Sequence, residues 1–486
     1  MSEIDVEVLH TDSVFVAGEW IPGTKQTDVI SPTTEQSIVR VAVPDLDHAR
    51  ASVDAARDAG VENWSLMSAA ERVAICTRFA DLLEARLEEM GVLWALEAGM
   101  PVRYSKTLHR FGAVGAWRTA IESAEAVLAP STRPSPLGEV TVLREPAGVV
   151  LAIMSYNGPL VTLASKVMPA LLAGCPVVLK AAPESQLIMR VVAVCAADAG
   201  FPYGTLSILC GDADLGRWLT AHQDVDLVSL TGGRKAAQEI IEATRHRFAR
   251  THLELGGKGP AVILDDAPID DVLRTLVAGA TSGTGQVCAL LSRILVSQNR
   301  HDEVIDALRA AWSGLRIGDP LEPSTQLGPL TTRAALERTE GFVARARGAG
   351  ARVVHGGQRP AGFERGYFFE PTLVTDVSRD SDLALNEVFG PVTAVLTYTD
   401  VDDAVELANA TDFGLSATVY SNDQDLALRC AKRIRAGSVA VNTYGPTLVA
   451  PFGGVKGSGW GREAGPEGIA EFTELKQILL APSRAR

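Results

Sequence analysis

Three residues of this chain, Cys288, Asn157 and Glu254, are of types that together can process an acyl centre. A thiolate attacks a carbonyl carbon, an amide N–H donates to the oxyanion that forms, and a carboxylate takes a proton from water. Such a trio oxidises or hydrolyses acyl groups. Cys288 lies in TSGTGQVCALLSRILV, and a lone cysteine is more often a small buried hydrophobe than a nucleophile. The lead-in Ser282, Gly283, Thr284 and Gly285 is expected to be small and mobile, so that backbone can approach a substrate, while the apolar run after Cys288 anchors the turn. No Cys-His neighbour pattern, G-x-S-x-G, H-E-x-x-H or C-x-x-C is present. Serine-hydrolase and metalloenzyme readings lack support, and no metal is expected.

The elements that must position these residues follow from periodicity. From Gly148 onward, short apolar runs (GVVLAIM, PVVLK, LSILC, DLVSLTG, HLEL) alternate with helical stretches, which predicts a parallel, doubly wound, Rossmann-like sheet. Ligands bind such sheets at the carboxyl ends of the strands, so chemistry belongs in the loops Ser155 to Pro159, Ala181 to Ser185 and Thr231 to Arg234. After Leu255 a second alternating region begins (RILV, TAVLTY, SATVY, SVAVN), a second α/β domain with Cys288 near the hinge. The domain expectation is residues 1–129 and 147–255 for dinucleotide binding, 256–456 for catalysis, and 130–146 with 469–486 as a β arm.

No G-x-G-x-x-G follows a strand. In SLTGGRK, Gly232 and Gly233 open a helix after a strand, where free N–H groups suit a pyrophosphate; a tight turn that merely needs glycine explains them equally well. Lys180 at the end of PVVLK either reaches a ribose or phosphate or is a solvated lysine. Phe111 and Trp117, on a helical stretch from Lys106 to Val127, are either core or substrate contacts. The glycine-rich PFGGVKGSGWGRE lacks the spacing of a phosphate cradle. Ile469 to Leu480 is expected to return as a final strand.

Bulk composition bounds the partners. A formal charge of −14 repels nucleic acid and anionic membrane. The acidic N-terminus has neither the basic start nor the apolar centre of a signal peptide, and no apolar run is long enough to span a membrane. Six scattered cysteines fit neither a disulfide framework nor zinc, so a reducing, cytoplasmic setting is expected.

Taken together, LELGGK (Leu253 to Lys258), GQVC (Gly285 to Cys288), NEVFGPV (Asn386 to Val392) and PFGGVKGSGWGRE resemble the motifs of the NAD(P)-dependent aldehyde dehydrogenase superfamily. The order agrees too, with Glu254 lying 34 positions before Cys288 (288 − 254). The resemblance implies oxidation of an aldehyde to a carboxylic acid. Cys288 adds to the carbonyl, Asn157 and the Cys288 N–H hold the oxyanion, hydride leaves for the nicotinamide, and Glu254 activates water against the thioester. It implies NAD or NADP at Lys180, Gly232, Gly233, Glu387 and Phe389, flanked by Tyr156 and Leu255, with Lys166 a further support near the Asn157 helix. It also implies a homodimer or homotetramer built through the arm.

Departures from the pattern bear on selectivity. Gly158 stands where the family often has a bulky residue, which predicts a wider substrate tunnel bordered by Gly158, Phe111 and Trp117. Pro183, followed by Glu184, stands where NAD-selective members commonly carry Glu, leaving NAD against NADP open. Gly233 replaces a usual serine and Ala237 a usual glycine, which changes phosphate contacts. A CoA-acylating relative would lack the glutamate, and an inactive binding protein would lack the cysteine; both are present.

Overall fold

Runs such as VVLKA and LVSLT, rich in β-branched residues and apolar on both faces, need cover on both sides, and they form the centre of the first sheet. The computed structural model describes residues 8–445 and 447–481. Residues 1–7, part of the acidic N-terminus, and 482–486, the end of the expected arm, lie outside the described residues.

The first sheet has eight strands in the order Gly459–Trp460, Arg250–Glu254, Leu227–Thr231, Val150–Ile153, Val177–Ala181, Leu206–Cys210, Ser13–Val16 and Glu19–Pro22. The five from Arg250–Glu254 to Leu206–Cys210 are parallel, and antiparallel strands close both edges. Succession along the chain reverses direction between Val150–Ile153 and Leu227–Thr231, and the loops after these two strands part there to leave a crevice. Alternation sends Val150, Ala152, Val177 and Leu179 into one core with Phe79, Trp94 and Trp117. Val149, Leu151, Val178 and Val228 enter the other.

A second sheet orders Arg352–His355, Thr372–Thr375, Val392–Tyr398, Arg293–Ser297, Pro260–Ile263, Ser416–Tyr420 and Ser438–Val441. Only its Arg352–His355 edge is antiparallel. A third, small sheet joins Ser131–Ser135, Gly138–Pro146 and Thr473–Leu480.

Local signals hold where they rest on side-chain chemistry. Ser68 and Glu71 form the capping box their spacing predicts, opening the helix Ala69–Ala85. The final strand is shorter than expected: Gly465–Ala470 is a helical turn, and the strand begins only at Thr473. Ile469 faces the core, and Gly468 N donates to Ala464 O, so this stretch finds its backbone partners locally. Among the described residues no helix is long and apolar enough to cross a membrane.

Candidate active site

The strand Arg250–Glu254 ends at the crevice, and its period of two puts Arg250, His252 and Glu254 on one face. Leu227–Thr231 flanks it on one side, with Thr231 opposite Glu254. On the other side the glycine-rich segment returns, pairing Gly459 with Glu254 and Trp460 with Leu253. Phe452 and Glu463 exchange main-chain hydrogen bonds of 2.7 Å, tying off the loop between them. Gly453 stands over the carboxylate, where an added Cβ would lie 2.6 Å from Glu254 Oε1. The segment is thus a wall for Glu254 rather than a phosphate cradle.

The lead-in to Cys288 is not mobile. Gly283, Thr284 and Gly285 are buried and left-handed in succession, at φ of 57°, 55° and 76°. A Cβ on Gly285 would sit 2.2 Å from the carbonyl of Gly390, so the glycine permits close packing of NEVFGPV against this turn. Thr284 Oγ1 donates to Gly328 O at 3.2 Å. Gly257 lies beneath the nucleophile, with room for no Cβ beside Cys288 O.

Asn157 Nδ2 donates to Gln286 O at 2.8 Å, and Asn157 Oδ1 accepts from Ser155 Oγ at 2.7 Å. The buried Gln286 side chain accepts from Tyr156 OH and from Thr331 N, each at 3.1 Å, and donates to Gly283 O. The bonding roles of Gln286 and Ser155 are not legible in the sequence, because an amide and a hydroxyl within loops carry no local signature. Lys166 makes an ion pair of 2.6 Å with Glu463, and both side chains are buried. Glu463 gave no signal beyond ending the glycine-rich run.

Burial and the negative charges of Glu254, Glu387 and Glu463 push the Cys288 thiol up to about 12. Glu254 is held well above the carboxylate range by burial and by Glu463, against the pull of Lys166 and Arg462. Among the described residues neither Glu254 oxygen has a hydrogen-bond partner. The Gly454 N–H lends the carboxyl only weak main-chain support, so its burial is poorly compensated.

A cavity of about 1240 Å³ brings Cys288, Glu254, Asn157, Tyr156, Leu255, Gly232, Gly233, Glu387, Phe389 and Phe111 together. Its residues fit a dinucleotide. The helix Arg234–Thr244 has no side-chain cap at Gly233, and nothing lies within 4 Å of where a Gly233 Cβ would be. Thr231 Oγ1 is buried without a partner at the same turn. Glu387 Oε1 accepts Gly257 N–H at 2.9 Å, leaving Oε2 for another donor, and burial raises this carboxyl to about 7. Phe389 meets Tyr156 edge to face. Lys180 is buried at its strand end beside Gly216 and faces Glu184, so it is not a solvated lysine.

Two of the expected tunnel residues lie elsewhere. Trp117 is wholly buried and donates through Nε1 to Glu84, a core residue as helical aromatic spacing usually gives. Gly158 opens the turn Pro159–Thr162 and does not line the cavity; a Cβ there would make ordinary contact with Val161. Phe111 lines the cavity and is 75% exposed, which puts it at the mouth.

Residues 20–478 match the model of the aldehyde dehydrogenase family. The chain belongs to that family. This aldehyde dehydrogenase is 38% identical over 474 residues to geranial dehydrogenase of Castellaniella defragrans, covering 96% of this chain and 98% of that one. It is 33% identical to the chloroplastic betaine aldehyde dehydrogenase of Beta vulgaris, over 96% of this chain and 95% of that one. In three dimensions it is similar to a Mycobacterium tuberculosis aldehyde dehydrogenase crystallised with NAD+, at a TM-score of 0.95 and 35% identity, over 98% and 99% of the two chains. The mixed α/β architecture is that of the family, and the enzyme is an oxidoreductase whose family reaction converts aldehydes to acids.

Proposed function

We propose that this aldehyde dehydrogenase uses Cys288, Asn157 and Glu254 to oxidise aldehydes with an apolar chain, with NAD as cofactor. The supporting observation is that the three side chains share one cavity with the uncapped helix end at Gly233 and with Glu387. Cys288 gives up its thiol proton to solvent and its Sγ attacks the carbonyl carbon. The second N–H of Asn157 Nδ2 and the Cys288 N–H hold the oxygen as charge develops, each such donor being worth about 2.7–4 kcal/mol. When bound, the nicotinamide accepts the hydride that the adduct carbon must lose. Glu254 then takes a proton from water, the water oxygen attacks the thioester on Cys288, and the acid leaves with the thiol restored.

Gly232, Gly233 and Thr231 are assigned to the pyrophosphate, Glu387 to a ribose with Phe389, Tyr156 and Leu255 packed near it, and Lys180 to the second ribose. NAD is favoured because Glu184 puts a half-buried acid within electrostatic reach of Lys180, where a 2′-phosphate would be repelled. The neighbour crystallised with NAD+ supports the same choice.

The substrate class rests on the lining: Tyr104, Leu108, Phe111, Val161, Val277 and Leu448 surround the approach. The likeness to geranial dehydrogenase agrees with it. Steady-state turnover of a C3 to C10 aldehyde series, benzaldehyde and betaine aldehyde, with NAD and NADP in parallel, tests the reading. Rising kcat/KM with chain length under NAD is expected; preference for betaine aldehyde or for NADP overturns the corresponding half. Glu254 supports water over coenzyme A as acyl acceptor, and acid as the product in the presence of coenzyme A checks it.

Residues 1–129 and 147–255 are assigned to dinucleotide binding, 256–456 to catalysis, and 130–146 with 469–486 to assembly. Leu475, Ile478, Leu479 and Leu480 are exposed on the outer strand of the small sheet, which supports a dimer or a dimer of dimers. A light-scattering mass equal to the monomer overturns that. Six free cysteines support a cytoplasmic setting.

A further inference from the structure

The strand carrying Glu254 also carries a buried histidine that the reaction above does not use. His252 lies two residues before Glu254 on the same face and is 2% exposed. Its ring is fixed from three sides: Gly461 packs so closely that an added Cβ would lie 2.2 Å from Cδ2, Phe472 stands edge-on, and Ser229 is its partner in strand register.

The hydrogen bonds around it form one consistent chain of donors that starts at Lys166. Lys166 Nζ has protons to give and no lone pair, and it donates to Ser229 Oγ at 3.0 Å. The Ser229 hydroxyl proton is then free for His252 Nδ1, 3.3 Å away. A neutral imidazole that accepts at Nδ1 carries its proton on Nε2. Among the described residues Nε2 is buried without a hydrogen-bond partner, and it faces Glu254 Oε1 at 3.7 Å, longer than a hydrogen bond, so donation requires the pair to close in the acyl-enzyme.

The charged groups around the ring are Lys166 from the covering helix, Arg250 on its own strand, Arg462 and Glu463 from the glycine-rich segment, and Glu254 ahead of it. Burial and the three cations hold His252 well below its ordinary range, so it stays neutral. A ring already protonated at Nε2 cannot receive the proton that Glu254 takes from water. It can only donate.

We propose that His252 is a positioning residue for the hydrolytic step, its Nε2–H favouring the ionised Glu254 carboxylate and orienting it in the acyl-enzyme, with Lys166 and Ser229 favouring that tautomer. The proposal rests on Glu254 being the base. A hydrogen bond given to the ionised form lowers a carboxyl pKa, so its loss moves the base out of range at neutral pH.

The test is rapid-quench measurement of acid release from the acyl-enzyme formed with NAD and hexanal, from pH 5.5 to 9.5. With His252→Leu the burst of reduced cofactor should persist, acid release at pH 7 should fall about tenfold, and its rising limb should move up by about one pH unit. His252→Gln, which restores an N–H donor, should recover most of the loss. Ser229→Ala should move the limb the same way by less, because the tautomer is no longer imposed. An unmoved limb, or an equal loss at every pH, overturns the proposal. If His252→Leu gives no burst, the limb of Ser229→Ala decides, and there too an unmoved limb overturns it. Glu254→Gln separates the two readings: wild-type acid release in that variant sinks the base itself, whereas its loss beside an unmoved His252→Leu limb sinks only the role of His252.

Discussion

Asn157 Nδ2 donates to the main-chain oxygen of Gln286 at 2.8 Å, so the proposed oxyanion donor is fastened to the turn that carries Cys288. One amide proton orients the group and the other is left for the substrate oxygen. Asn157→Ala is expected to slow the burst of reduced cofactor by about 10²–10³-fold, read by stopped flow. A comparable burst in this variant would mean that the Cys288 N–H acts alone.

Of the six cysteines only Cys288 lines the large cavity and is not buried; Cys76, Cys175, Cys195, Cys210 and Cys430 are buried. Iodoacetamide should therefore add a single group, located on Cys288 by peptide mass mapping. Because the thiol sits near 12, its thiolate fraction is small and grows with pH, so alkylation of the cofactor-free enzyme should rise about tenfold per pH unit from 7 to 9 without levelling. Cys288→Ala should yield no reduced cofactor from any aldehyde.

The carboxyl of Glu387 is raised to about 7 by burial. Below that pH it is protonated and above it ionised, and the ionised form is the stronger acceptor for ribose hydroxyls. The KM for NAD should fall several-fold between pH 6 and 8, a dependence that flattens in Glu387→Gln.

The pair Lys166 and Glu463 is buried at both ends. Lys166→Met leaves a carboxylate stranded and should cost about 3 kcal/mol in urea unfolding, whereas Lys166→Met with Glu463→Leu should regain most of it. A double variant as unstable as the single one would count against burial as the cause.

Gly285→Ala should lower stability by at least about 2 kcal/mol and abolish the burst, since both the left-handed backbone and the contact with Gly390 forbid a Cβ. Gly348→Ala is the control, because open space surrounds that position and its φ is not left-handed.

The sequence was legible where a signal is local. Period-two runs mark the sheet strands, and Ser68 with Glu71 marks a helix start. Contacts made by distant chain were not legible. The helix Gln186–Ala199 takes its cap from Glu97, which accepts from Leu187 N and Ile188 N across the fold. The glycines before Cys288 read as slack because glycine serves mobility and tight packing alike, and only the neighbouring Gly390 shows which applies. Trp117 and Phe111 look alike on a helical stretch, yet one packs inward and the other stands at a cavity mouth.

The strand Gly459–Trp460 closes the edge beside Glu254 with residues from near the end of the chain. During synthesis the first sheet must wait, with its Arg250–Glu254 border unpaired, until Gly459 and Trp460 have left the ribosome. A fragment ending near residue 255 should therefore self-associate through that border, and a peptide spanning 451–463 supplied in trans should suppress it. The same dependence makes the enzyme a candidate for split-protein reconstitution, with activity reporting the moment the last border strand docks.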